Sequence, residues 1–233
     1  MAYAAVPTLD LRVFTPSEQL MGHSNGSLQA SRGNGNYRGD CNLSVNTGVN
    51  VSEHKNTNLW VTGLPAGITV NELLGAITDT GRIRSTVINQ PTQSIATAAA
   101  SISFFHRRDA VKLYRKIEQG HICLRGRFPL VQWNRNKVGE SAVPPYTTRV
   151  LLIAGDPQIV NEEFLTSFFS KKFVYDIDCI VDHGIVDGFE GPIGRIEYRF
   201  GSWRSQASSA RLALLLELKG FLLVKYGPDP CAN

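Results

Sequence analysis

The sequence has no paired cysteines. Its four cysteines, at positions 41, 123, 179 and 231, lie tens of residues apart with no C-x-x-C pair, which excludes a zinc knuckle or a disulfide framework and leaves free thiols. It has no apolar run of about eighteen residues, and its first residues lack the basic region and apolar stretch of a secretion signal. The expectation is an intracellular chain with no membrane partner. Catalytic signatures are missing too: no G-x-S-x-G elbow, no G-x-x-x-x-G-K-[ST] loop, no H-E-x-x-H and no dinucleotide fingerprint. No catalytic residue, metal or cofactor is assigned, and the chain is not read as an enzyme. No compact Lys/Arg run marks an import signal, so nucleus and cytoplasm both stay open.

What is present suffices for folding. With 233 residues, 42% hydrophobic and 19% charged, the chain can build one large core or two small ones. The net charge of +4 is unevenly spread. Residues 1–58 are neutral, residues 59–137 carry 11 basic and 4 acidic groups, and residues 138–233 carry 9 and 12. The middle segment is the one that attracts polyanions. Residues 1–56 are rich in Gly, Asn and Ser and cannot bury enough apolar surface to offset their ordering entropy, so they are expected to be disordered.

Order is expected from Leu59. Residues 59–63 alternate like a strand, and Thr69-Val70-Asn71-Glu72 is a capping box opening a helix with Leu73, Leu74 and Ile77 on one side. Strands follow at 83–88 and 96–105, a helix at 109–117 and a strand at 128–133. After a linker with Pro144-Pro145, the pattern recurs: strand 150–154, helix 161–170, strands 177–181 and 195–200, helix 205–216, strand 221–226. His183 falls in an expected turn, and Gly191-Pro192-Ile193-Gly194 reads as a loop entering a strand. Two βαββαβ units predict an α+β chain of two ferredoxin-like sandwiches. The boundaries are tail 1–56, basic domain 57–137, linker 138–147 and acidic domain 148–230.

Leu59-Trp60-Val61-Thr62-Gly63-Leu64, Thr80-Gly81-Arg82-Ile83 and the segment from Gly126 to Val131 resemble the RNA recognition motif (RRM) family, tandem-motif proteins of fungal type in particular. The resemblance implies single-stranded RNA laid across a sheet face, with bases stacked on aromatic residues of the first and third strands. This chain departs from that pattern at the third strand. Ala99 and Ser101 stand at its stacking positions, and Arg195 and Glu197 at those of the second unit, where Leu152 replaces Trp60. Only Trp60 remains as a stacking platform.

The candidate RNA-binding residues are therefore Trp60, Thr62, Thr86, Ala99, Ser101 and Gln132 as the sheet surface, and Phe128 as an apolar extension. Arg84, Arg125, Arg127, Arg135 and Lys137 are the cations that would track phosphates. Arg108, Lys112, Arg115 and Lys116 lie on or beside the second helix and solvate its face. The apolar surface near Trp60 equally suits protein docking. The alternative reading is a protein-interaction scaffold, its partner held by the second domain's sheet face or the tail.

Overall fold

The computed structural model describes residues 50–189 and 191–233. The expected disordered tail lies, up to residue 49, outside the described residues. The first domain comprises β1 (Asn58–Leu64), α1 (Val70–Gly75), β2 (Ile83–Asn89), β3 (Ala98–Phe104), α2 (Arg107–Glu118) and β4 (Leu130–Trp133). The second comprises β5 (Val150–Gly155), α3 (Glu162–Ser170), β6 (Ile177–Gly188), β7 (Gly191–Phe200), α4 (Ser208–Glu217) and β8 (Leu222–Tyr226). Each forms a four-stranded antiparallel sheet, ordered β2-β3-β1-β4 and β6-β7-β5-β8.

Period-two alternation sends Leu59, Val61, Ala98, Ala100, Ile102 and Phe104 under the helices, where they meet Leu73, Leu74, Ala110 and Leu113. Burying each large side chain contributes about 1.5–3 kcal/mol. The capping box forms as the sequence predicts: Thr69 Oγ1 accepts from the Glu72 N–H at 3.2 Å, and Glu72 Oε2 accepts from the Thr69 N–H at 3.0 Å. Gly81 follows α1 where the chain passes Asp109, and a Cβ there would run into the Asp109 carboxyl group.

Three expectations are corrected in the second domain. His183 lies within β6, beside a bulge where Gly184 takes φ +73°. Gly191-Pro192-Ile193-Gly194 starts β7, so β6 and β7 form a long hairpin. Helix α4 starts at Ser208, behind an irregular turn in which Ser205 adopts φ +60°. The glycines masked this hairpin, because they suit a loop and a twisted arm equally.

The domains are locked together by a buried ion cluster. Arg149, on the residue before β5, is fully buried. Its Nη1 donates to Asp178 Oδ2 at 2.7 Å and to the Phe200 carbonyl at 2.9 Å, and its Nε donates to Asp229 Oδ1 at 3.1 Å. Burial opposes its charge, but Asp229, Cys231 and Asp178 together hold its pKa above the ordinary value. Both carboxylates also reach the first domain. Asp178 accepts from Asn71 Nδ2 at 3.2 Å, and Asp229 accepts from the Ile83 N–H at 2.8 Å.

The residues after β8 then enter the first domain. The Cys231 carbonyl accepts from the N–H groups of Thr80 (2.9 Å) and Gly81 (3.2 Å), and the Cys231 side chain is part of the first domain's core. Burial, with Asp229 beside it, pushes the Cys231 thiol up to about 12. Elsewhere on the seam, Ser202 Oγ accepts from the Thr86 N–H at 2.9 Å and donates to the Thr86 carbonyl at 3.2 Å, covering the edge of β2. Phe105 and Trp203 pack with ring centroids 5.3 Å apart.

Replacing Arg149 with Ala leaves two buried carboxylates without their cation, and is expected to cost about 3–5 kcal/mol of stability in urea unfolding. The same variant exposes Cys231, which is expected to react with a thiol reagent under native conditions only in the variant.

Candidate functional site

Strand β1 occupies the middle of the first sheet, and its alternation turns Trp60 and Thr62 to the face without helices. The register sets Gln132 on one side of Trp60 and Ser101 on the other, with Val87 beyond Ser101. Leu130 stands beside Thr62, and Ala99 beside Asn89. Trp60 is half-buried and Leu130 is 72% exposed. This surface carries one aromatic ring, small polar groups and no charge. A planar apolar ligand group stacked on Trp60 meets the Gln132 amide and the Ser101 hydroxyl on neighbouring strands.

One end of the face is closed by an asparagine network. Asn58 Oδ1 accepts from Ser101 Oγ at 3.0 Å, Asn134 Nδ2 donates to Ser101 Oγ at 3.0 Å, and Asn58 Nδ2 donates to the Asn136 carbonyl at 2.9 Å. Asn56 Nδ2 donates to the Asn134 carbonyl at 2.9 Å. The chain leaving β4 is thereby strapped across the lower end of the sheet. It continues through the Thr57 N–H on the Val138 carbonyl (2.7 Å) and the Ser141 N–H on the Phe105 carbonyl (3.1 Å). The linker is therefore held against the first domain and does not run as a free extended track.

The predicted site residues separate into groups. Trp60, Thr62, Ala99, Ser101 and Gln132 share the open face. Thr86 does not: its partner in β3 is Ile102, so it belongs to the buried face, and only 1% of it is exposed, beneath Ser202. The β-bulge between Ile83 and Ser85 shifts the parity of β2, and no sequence pattern announces it. Phe128 precedes β4 and places its ring edge near Gly120, at the end of α2.

The cations also divide. Arg125 is committed to the α1 cap, with Nε 2.8 Å from Glu72 Oε1, Nη2 2.6 Å from Oε2 and Nη1 on the Ala66 carbonyl at 3.1 Å. It occupies a tight turn with Gly126, at φ +49° and +75°, closed by paired hydrogen bonds between Leu124 and Arg127. Arg84 Nη1 donates to the Gly139 carbonyl at 3.1 Å, and burial, with Arg204 nearby, lowers its pKa. Lys137 pairs with Glu53 at 2.7 Å. Arg127 and Arg135 stand exposed.

The second sheet presents a different surface. Leu152, Arg195, Glu197 and Arg199 share its open face, and Glu197 accepts from Arg199 Nε at 2.6 Å. His183 Nε2 lies 3.4 Å from the same carboxylate. Glu197 thus has partners on its own strand and on β6. Trp133 and Tyr226, at matching positions on β4 and β8, are used for packing. Trp133 stacks on Tyr114 at 5.3 Å beneath the Arg107 guanidinium, and Tyr226 Oη accepts from Trp203 Nε1 at 3.2 Å. Among the described residues no cluster of His, Cys, Asp and Glu suits a metal ion, and no helix is long and apolar enough to cross a membrane.

Comparison with protein-family profiles and with curated sequences gives no match. Among solved structures, the chain is similar to RNA recognition domains 1 and 2 of Sex-lethal from Drosophila melanogaster, at 20% identity and a TM-score of 0.28, covering 74% of this chain and 100% of that one. It is similar to the first two RRM domains of the yeast poly(U) binding protein, at 19% identity and a TM-score of 0.31, covering 73% and 99%. A third is the yeast splicing factor Prp24, at 18% identity and a TM-score of 0.27, covering 76% and 69%. The scores are low, so the fold is read from strand order and register. Both domains have the ferredoxin-like βαββαβ fold.

Sequence reasoning missed the asparagine network and the interdomain cluster. The repeated spacing of Asn56 and Asn58 against Asn134 and Asn136 was a usable signal for the first. Replacing Asn58 with Ala leaves Ser101 and the Asn136 carbonyl short of partners, and is expected to cost about 1–3 kcal/mol in urea unfolding. The hydrogen bond from Arg125, with that of Thr69, lowers the pKa of Glu72. The support it gives to α1 is therefore present above the ordinary value of 4.5 and lost as the pH falls through the lower folded value. Amide shifts of Thr69 and Glu72 are expected to report that single titration, displaced upward in Arg125→Ala.

Proposed function

We propose that the chain binds single-stranded RNA on the open face of the first sheet and performs no chemistry on it. The observation that carries this reading is Trp60, half-exposed at the centre of a helix-free sheet with Gln132 and Ser101 in register on either side. Bases offer π-faces to such a ring, and each stack is worth about 1–3 kcal/mol. The Gln132 amide offers a donor and an acceptor to base edges, while the exposed Arg127 and Arg135 supply cations. The Lys137–Glu53 pair, its carboxylate 72% exposed, is weak enough to exchange Glu53 for a phosphate.

The second domain serves a different purpose in this scheme. Its open face carries Leu152 where the first has Trp60, and Glu197 answers Arg199, so its part is to orient and stiffen the first domain. RNA binding is then of modest affinity, in an intracellular setting. The competing reading, a protein-docking scaffold, draws on the bare Ala99 and the exposed Leu130.

A fluorescence-anisotropy titration with mixed-sequence single-stranded RNA decides between them. The whole chain is required, because Cys231 is part of the first domain's core. Affinity is expected to fall steeply with salt and to drop by about 1–3 kcal/mol in Trp60→Ala, with thermal stability unchanged. Binding indifferent to both salt and Trp60 would remove the RNA reading and favour the scaffold.

A further inference from the structure

Because the chain repeats its own fold, each domain serves as a control for the other. Superposing the buried positions of the two second helices places Ala210 on Ala110 and Ala213 on Leu113. Leu212 and Leu215 then stand where α2 carries the exposed Lys112 and Arg115. These leucines are 50% and 38% exposed. Helix α4 thus has leucine on its outward side as well as its inward one, the pattern of a helix covered on both sides.

The neighbouring strand has the matching property. The Gly227 N–H on the Val150 carbonyl and the Asp156 N–H on the Phe221 carbonyl set the phase of the β5–β8 ladder. Phe221, Leu223 and Lys225 therefore exchange backbone bonds with β5, and the N–H and C=O groups of Val224 and Tyr226 turn to the open edge. Leu223 is 80% exposed and Phe221 57%. The edge of β2 is covered by Ser202 and Asp229, and β6 is bulged twice. Strand β8 pairs with β5 without a bulge and contains no proline. It is an edge fit for another strand.

We propose that the α4–β8 flank is a self-association surface. Two copies of the chain pair their β8 strands antiparallel about a twofold axis, extending the second sheet into eight strands. Leu212 and Leu215 of the two α4 helices cover one another beside that seam. A second copy is the occupant because the strand complements itself. With the axis at Leu223, leucine faces leucine and Lys225 faces the Phe221 ring of the other copy, twice. Moving the axis to Lys225 would set two ammonium groups against each other, and moving it to Val224 would set Leu223 against Lys225. An isologous contact of this kind closes after two copies.

Sedimentation equilibrium of the full chain, over a roughly hundredfold range of concentration, tests the proposal. The wild type is expected to form dimers. The double substitution Leu212→Lys, Leu215→Arg, which borrows the residues of α2, is expected to weaken the dimer by at least about tenfold at unchanged circular dichroism. Val224→Pro removes an outward N–H that β5 does not use, and is expected to act in the same direction. A wild type that stays monomeric throughout the range overturns the proposal, and so does a double variant that dimerises as tightly as wild type. Should Val224→Pro fail to fold, the helix variant alone decides.

Discussion

The charged centre of the seam between the two sandwiches is the guanidinium of Arg149. It is fully buried, in a position where an isolated cation would cost several kcal/mol, and it is tolerated because Asp178 and Asp229 lie at 2.7 and 3.1 Å. Each carboxylate has a second obligation, to Asn71 and to the Ile83 N–H, on the far side of the seam. The charge balance of the second domain and its grip on the first are thus the same set of bonds. A hydrophobic seam of equal area would tolerate sliding, whereas this one fixes a single register.

That constraint explains the state of the first sheet. Its β2 edge is sealed by the Ser202 hydroxyl, which offers Thr86 both a donor and an acceptor in the manner of a neighbouring strand. Its lower end is strapped by the asparagine network and the linker. What is left is the strip of Gln132, Trp60, Thr62 and Leu130, open on one side, with the exposed Arg127 and Arg135 flanking β4 in the chain. The binding surface proposed here is what the interdomain contacts leave uncovered.

The two sandwiches, their strand order and the open-face position of Trp60 were legible in the sequence because period-two and period-3.6 patterns are local and repeat twice. The polar seam was not. Arg149, Asp178, Asp229 and Cys231 are separated by up to 82 residues, and nothing in their neighbourhoods distinguishes a buried arginine from a solvated one. Thr86 was misplaced for a related reason: one bulge reverses the facing of a strand, and bulges leave no pattern behind. Arg125 and Arg84 read as available cations, and only the folded chain shows the carboxylate and carbonyl that already hold them.

The docking of Cys231 against the first domain bears on the order in which the chain acquires structure. A ribosome delivers β1 to β4 well before it delivers the residue that completes their core. The usual N-to-C succession of domains therefore does not apply cleanly here. The first sandwich can complete its packing only after the second has been translated, because Cys231 follows β8. A chain cut short of Cys231 would therefore lack a buried residue of its first core, in the half that looks complete.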